Sequence, residues 1–279
     1  MRTLKTMLAS LVLMALTGSL YSQNILDGVY VKENTPFRKY IPYAPLREAD
    51  VMYAKRIWRT IDLREKINHV LYYPISPINN RKSLFDVIKA NLLTGKLTAY
   101  GNPLLDDEFK VPMTKSEIEA MFTRIDTNYV EDLTTGQMVP TPVKTDVGSE
   151  SVKQYWIKED WFFDRQRSVM DVRIIGICPL KENKGDNGEV RGYQPMFWIY
   201  YPEARQLFAN AEVYNRQNDA ERRTLEDVIW KRQFGSFVYK ESNVYDRTIA
   251  EYKMGLEILL EAERVKTDLF TFEHDLWHF

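Results

Sequence analysis

The sequence predicts an α+β fold: an antiparallel β-meander over about residues 152–201, packed with several α-helices and preceded by an extended N-terminal arm. Three observations lead there. Apolar residues recur at helical spacing through the first part of the chain, switch to strand-like runs between Val152 and Tyr201, and return to helical spacing after Pro202. Pro36, Pro42 and Pro45 stand among aromatics and hold residues 23–45 extended. Apolar residues make up 44% of the 279, and aromatics 13%, which is enough to close a packed core and excludes global disorder.

In chain order, residues 1–22 carry a targeting pattern. Arg2 and Lys5 precede a short apolar run, Met7 to Leu20, and small residues follow at Gly18, Ser19 and Ser22. A bilayer span needs ~20 apolar residues, so the expectation is a secretory signal peptide cut near Ser22–Gln23. Its removal leaves 36 basic residues of the original 38 against 39 acidic ones, a net charge of −3. That balance offers no basic excess for phosphate contacts, which sets nucleic-acid binding aside. Cys178 is the only cysteine, so no lipid-bearing cysteine follows the leader and no internal disulfide is expected. No later apolar run is long enough to insert in a membrane. Residues 46–279 form the α+β domain, divided on this reading into a helical lobe (46–125) and a sheet-plus-helix lobe (126–279).

Within that domain, Met52, Tyr53, Ile57 and Ile61 follow helical spacing, which predicts helices over 48–58 and 63–72. Ser83 with Asp86, and Thr114 with Glu117, mark two further helix starts, and Gly95 ends the first of them. Glu131 to Gln154 is polar and rich in Gly and Pro, the pattern of a linker or long loop. Three strand runs follow: Val152 to Phe163, Val169 to Cys178 and Tyr193 to Tyr201, with DRQRS (164–168) as a hairpin turn. On the second run, Met170, Val172, Ile174 and Cys178 are expected on the core face, with Asp171, Arg173, Ile175 and Ile177 opposite. Helices are then expected from Pro202 to Val213, from Thr224 (capped with Asp227) to about Phe234, and from Asn243 onward. In the last of these, Tyr245, Ile249, Tyr252, Leu256, Leu259 and Leu260 make one apolar stripe.

The inventory for catalysis is thin. Glu159, Asp160, Asp164 and Asp171 lie among aromatics, as a glycosidase pair would. Glu159 and Asp160 are adjacent, however, so on a strand they point to opposite faces. With DRQRS as the hairpin turn, Asp160 can face Arg173 or a near neighbour on the next strand. Cys178 sits in an apolar run and reads as a small buried hydrophobe rather than a nucleophile. His274 and His278 have the spacing of two ligands on one helix face but no third ligand is evident, and His69 reads as a packing or surface residue. Phosphate-loop and hydrolase motifs are absent. No catalytic, cofactor-binding or metal residues are assigned.

Four segments carry a resemblance: WIKEDWFFD (156–164), DVRIIGICPL (171–180), MFWIYYPEARQLFA (196–209) and FVYKESNVYDRTIAEY (237–252). With them the chain resembles the GldN/PorN family of the type IX secretion and gliding-motility machinery. The resemblance implies a structural, non-enzymatic subunit of the periplasm, without a cofactor. It also implies a ring built by self-association with a GldK/PorK-like outer-membrane lipoprotein, and contact with a GldM/PorM-like shaft protein. The chain is short for that family, so contacts made by a C-terminal extension are not expected. Tyr30, Phe37, Tyr40 and Tyr43 of the arm, with Arg173, are the candidate interface residues, since rigid aromatics and arginine anchor interfaces. The arm lies either on its own domain or on a neighbour. The competing expectation is an exported hydrolase, or a binding protein for cell-envelope glycans, using Asp160, Asp164 or Asp171.

Overall fold

A computed structural model describes residues 38–78, 81–131, 138–185, 189–215, 217, 218 and 220–275, with the backbone alone for 124–131 and 138–145. The signal segment, Tyr30, Phe37 and His278 lie outside the described residues. Residues 38–279 cluster into one compact unit.

The elements run β1 (Val51–Asp62), α1 (His69–Tyr72), α2 (Leu84–Leu93), β2 (Ala99–Tyr100), α3 (Lys115–Phe122), β3 (Thr123–Glu131) and β4 (Met138–Asp146). Then come β5 (Val152–Asp164), β6 (Val169–Lys184), β7 (Val190–Pro195), β8 (Trp198–Tyr200), α4 (Tyr201–Ala209), β9 (Glu212–Val213) and β10 (Arg223–Thr224). The chain closes with α5 (Leu225–Trp230), β11 (Phe237–Glu241), α6 (Ile249–Tyr252) and α7 (Leu256–Asp275). This is an α+β fold. One antiparallel sheet has the order β11-β1-β5-β6-β8-β2, with β7 on the far end of β6. The expected meander β5–β6–β8 forms its middle.

The helix boundaries follow local chemistry. Ser83 accepts from the Asp86 N–H at 3.1 Å. Past Leu93 the backbone reverses at Gly95 (φ +71°), with Lys96 N–H bonded to Asn91 O and Gly95 N–H to Leu92 O, which satisfies carbonyls a helix end would orphan. Capping boxes at Thr114/Glu117 and Thr224/Asp227 start α3 and α5 as the sequence predicts.

Four expectations fail. Residues 51–62 are strand, not helix. β1 pairs on one side with β5 and on the other with β11, and both its faces are covered toward Asp62, so the alternation that marks a strand fades there. Residues 63–72 hold only a 3-10 turn and the one-turn α1. The segment 131–154, expected as a loop, contains β4 and the start of β5. The last helix does not run from Asn243: residues 243–248 are not helical, the one-turn α6 ends at an extended Lys253, and α7 starts at Leu256 after Gly255 (φ +55°).

One face of the sheet carries the main core, in which Ile61, Tyr155, Ile157, Ile174 and Ile177 pack under α2, α4 and α5 through Phe85, Ile88, Phe208 and Leu225. Near β11 the same layer is completed by α7, with Val265 and Leu269 on Ile57 and Val238. On the other face Trp58, Cys178 and Trp198 cluster with Trp156, Phe109 and Tyr239. The loop after β2 straps over them. Asp107 accepts from Trp58 Nε1 at 2.9 Å and from Lys158 Nζ through its carbonyl at 2.6 Å, and Pro103 O accepts from Trp198 Nε1 at 3.1 Å. Gly176 lets the Phe109 ring seat here, since a Cβ would stand 2.6 Å from it.

The expected parity of β6 is also corrected. Lys158 pairs with Gly176 and Glu159 with Ile174, so Ile175 is an extra, bulged residue. A one-residue bulge inverts the alternation beyond it. Ile174 and Ile177 therefore share the main core, while Cys178 turns to the aromatic face.

Candidate interaction surface

The described part of the arm is held by side chains of β6, α4 and α5. Pro42 and Pro45 hold Ile41 and Ala44 extended, and the carbonyls of those two residues are the ones taken by arginines. Arg205 Nη2 donates to Ile41 O at 2.6 Å, and Arg173 Nη2 to Ala44 O at 2.6 Å. Arg205 is 1% exposed. Its Nε donates to Glu226 Oε1 at 2.7 Å, Tyr201 Oη donates to Glu226 Oε2 at 2.6 Å, and the guanidinium lies 4.7, 4.3 and 4.4 Å from the ring centres of Tyr40, Tyr43 and Trp230. The Arg173 guanidinium stands 4.9 Å from Tyr43 and 5.1 Å from Phe162. Arg38 closes the set, ion-paired to Asp227 at 2.9 Å. Burial raises the Tyr43 phenol to about 12, with Glu226 adding to the rise and Arg205 and Arg173 opposing it. Tyr40, Tyr43 and Arg173 thus all make contacts within their own chain.

The groups singled out for chemistry are engaged structurally. Glu159 is fully buried between Arg232, at 2.7 Å, and Arg59, at 3.2 Å, and accepts from Trp161 Nε1 at 3.0 Å. Burial pulls the Arg59 guanidinium below its ordinary value, against the opposing charge of Glu159. Asp160 points to the opposite face, as its adjacency to Glu159 requires. Asp160 stands opposite Arg173 on β6, as the hairpin predicts, but its ion pair is with Arg56, bidentate at 2.6 and 3.0 Å. Arg56 stands across on β1 as Arg173 does on β6, but the Arg173 guanidinium is drawn to the arm. Asp164 and Asp171 share Arg167, at 2.7 and 2.8 Å, and the bond from Arg167 lowers the Asp164 carboxyl. Cys178 is buried, and desolvation pushes its thiol up, away from nucleophile chemistry. His69 meets Tyr73 edge-on. His274 stands near Asp275, and among the described residues no three metal-ligating side chains come together.

Among the described residues, exposed apolar surface includes two regions. The apolar stripe predicted for the last helix points outward in part: Tyr245, Leu256, Leu259 and Leu260 are exposed, while Ala262, Val265 and Leu269 make the contact with the sheet. A groove of about 550 Å³ opens beside α1, lined by Val70, Tyr73, Pro74, Ile78 and Tyr214, with Lys66, His69 and Arg81 at its polar positions. The residues that sequence reasoning missed are Arg205 and Glu226. The signal was present: Arg205 interrupts the apolar face Tyr201, Ala204, Phe208 of α4, and an arginine there must find a buried partner.

Fold and surface together define an α+β domain with a sheet covered on both faces, an extended arm anchored on Arg205 and Arg173, and apolar surface exposed along one long helix. The chain belongs to the GldN family: the family model described as gliding motility associated protein GldN matches residues 46–278. This makes it a component of the gliding-motility and type IX secretion machinery of the cell envelope. No curated protein matches the chain. Among the described residues no helix is long and apolar enough to cross a membrane.

Proposed function

We propose that the chain is a structural, non-catalytic subunit that assembles with a GldK/PorK-like outer-membrane lipoprotein into a periplasmic ring and contacts a GldM/PorM-like shaft protein. Family membership across residues 46–278 is the observation that carries this reading. It is supported by the internal ion pairs that engage Glu159, Asp160 and Asp164 and by the burial of the Cys178 thiol. The leader pattern of residues 1–22 supports export. Tyr40, Tyr43 and Arg173 fix the root of the arm, which leaves Tyr30 and Phe37 to engage a neighbouring subunit. A ring joins subunits head to tail through two different patches, and an arm supplies one of them. Co-expression with the lipoprotein, followed by sizing and electron microscopy, tests this. Large rings are expected, and deletion of residues 24–37 is expected to weaken them while the domain stays folded. A monomer that ignores the lipoprotein and cleaves or binds envelope glycans overturns it.

A further inference from the structure

The β3–β4 hairpin forms a sheet of its own. Its register runs without a shift from Thr123↔Asp146 to Glu131↔Met138, and among the described residues no third strand joins it. A bond from Val147 N–H to Phe122 O, 2.8 Å, closes its base. A two-stranded hairpin is marginal in water, and about three or more strands are needed for independent stability.

The backbone indicates where further strands attach. In an antiparallel ladder, residues alternate between positions whose N–H and C=O face the partner strand and positions where both face away. β4 carries Pro140 and Pro142, opposite Tyr129 and Thr127. Proline has no N–H, yet the ladder passes both residues unbroken, so both occupy positions facing away from β3. The same parity sets β3: the N–H and C=O groups of Ile125, Thr127 and Tyr129 face away from β4, with their donors intact. One edge of the hairpin is stripped of two donors, and the other is complete.

We infer that the outer edge of β3 is an interface for β3 of a second copy of this chain, paired antiparallel in the order β4–β3–β3–β4. A second copy is the occupant that fits. Both outer edges of the product are then proline-bearing β4 strands, so addition stops at four strands, whereas a single donated strand would leave its own far edge open. The contact is isologous, about a two-fold axis. It does not depend on the ring, because both strands come from this chain.

Thr127→Pro copies onto β3 what Pro142 does on β4, removing an outward N–H without touching the β3–β4 ladder. In analytical ultracentrifugation of the full chain, the wild type is expected to dimerise, and the variant to show a dimer Kd raised by about tenfold or more. Amide hydrogen exchange on the wild type gives a second readout. On concentration, Ile125, Thr127 and Tyr129 are expected to slow by about tenfold or more, while Arg124, Asp126 and Asn128, already donated to β4, stay constant. A wild type that is monomeric at about 100 µM, a variant that dimerises equally well, or protection without this parity overturns the inference.

Discussion

Replacing Arg205 by Met keeps most of the side-chain volume and removes the charge at the root of the arm. Glu226, 6% exposed, then keeps the Tyr201 hydroxyl but loses its cation, and the Ile41 carbonyl loses its donor. Breaking one side of a buried pair costs about 3–5 kcal/mol, because the remaining charge stays buried. The retained Tyr201 bond sets the expectation at the lower end, about 3 kcal/mol. Loss of the ring contacts adds about 0.5–1 kcal/mol each when measured alone, but these share the same guanidinium and do not sum. Urea unfolding measures the total, equivalent to a fall in Tm of about 6–12 °C for a domain of this size. Limited trypsin digestion after Arg38 and Lys39 reports the arm itself, and is expected to accelerate about tenfold or more as local opening becomes easier. Adding Glu226→Gln removes the stranded charge and recovers about 1–3 kcal/mol. A single variant within about 1 kcal/mol of wild type with unchanged cleavage, or a double variant no better than the single, refutes the assignment of Arg205 as the arm's anchor.

Two further outcomes follow from burial and charge. Leu259→Lys with Leu260→Lys alters the outward face of α7 and is expected to change stability by under about 0.5 kcal/mol, whereas Leu269→Ala on the sheet side costs about 2–5 kcal/mol. Thermal melts that reverse this order place the wrong face on the sheet. Tyr43 has a folded-state value raised from 10.0 to about 12, so the neutral phenol favours the fold, and its contribution is complete below pH 10 and is lost as pH rises through 12. Two units correspond to about 2.7 kcal/mol, which partial exposure reduces to roughly 1–2 kcal/mol. Denaturation across that window is expected to show a drop in stability that Tyr43→Phe lessens by this amount.

What was legible in the sequence was local. Ser83, Thr114 and Thr224 announced α2, α3 and α5, because a cap is satisfied within four residues and needs no distant partner. The β5–β6 hairpin was equally plain, its strand runs separated by DRQRS. The adjacency of Glu159 and Asp160 settled that they could not converge, since side chains on a strand alternate whatever surrounds it. The family resemblance also lay in contiguous runs of these same strands and helices.

The remainder depended on which partner stood across a gap of many residues. β1 resembled a helix because both of its faces are covered toward Asp62, and burial on both sides erases the alternation that identifies a strand. A single bulge at Ile175 exchanged the faces of Ile177 and Cys178, and nothing in the local pattern marks where a ladder slips. Asp160 stands between Arg56 on β1 and Arg173 on β6, and it pairs with Arg56 because Arg173 is drawn to the arm, which is distant in sequence. The apolar stripe of α7 was visible, but its inward face was set by where β11 and Ile57 offered contact. Sequence by itself determined the elements whose hydrogen bonds close within a few residues, together with the class of protein. Only the tertiary structure decided the strand order, the ion-pair partners and the arm's anchorage on Arg205, because those energies arise between groups that the chain brings together only when it folds.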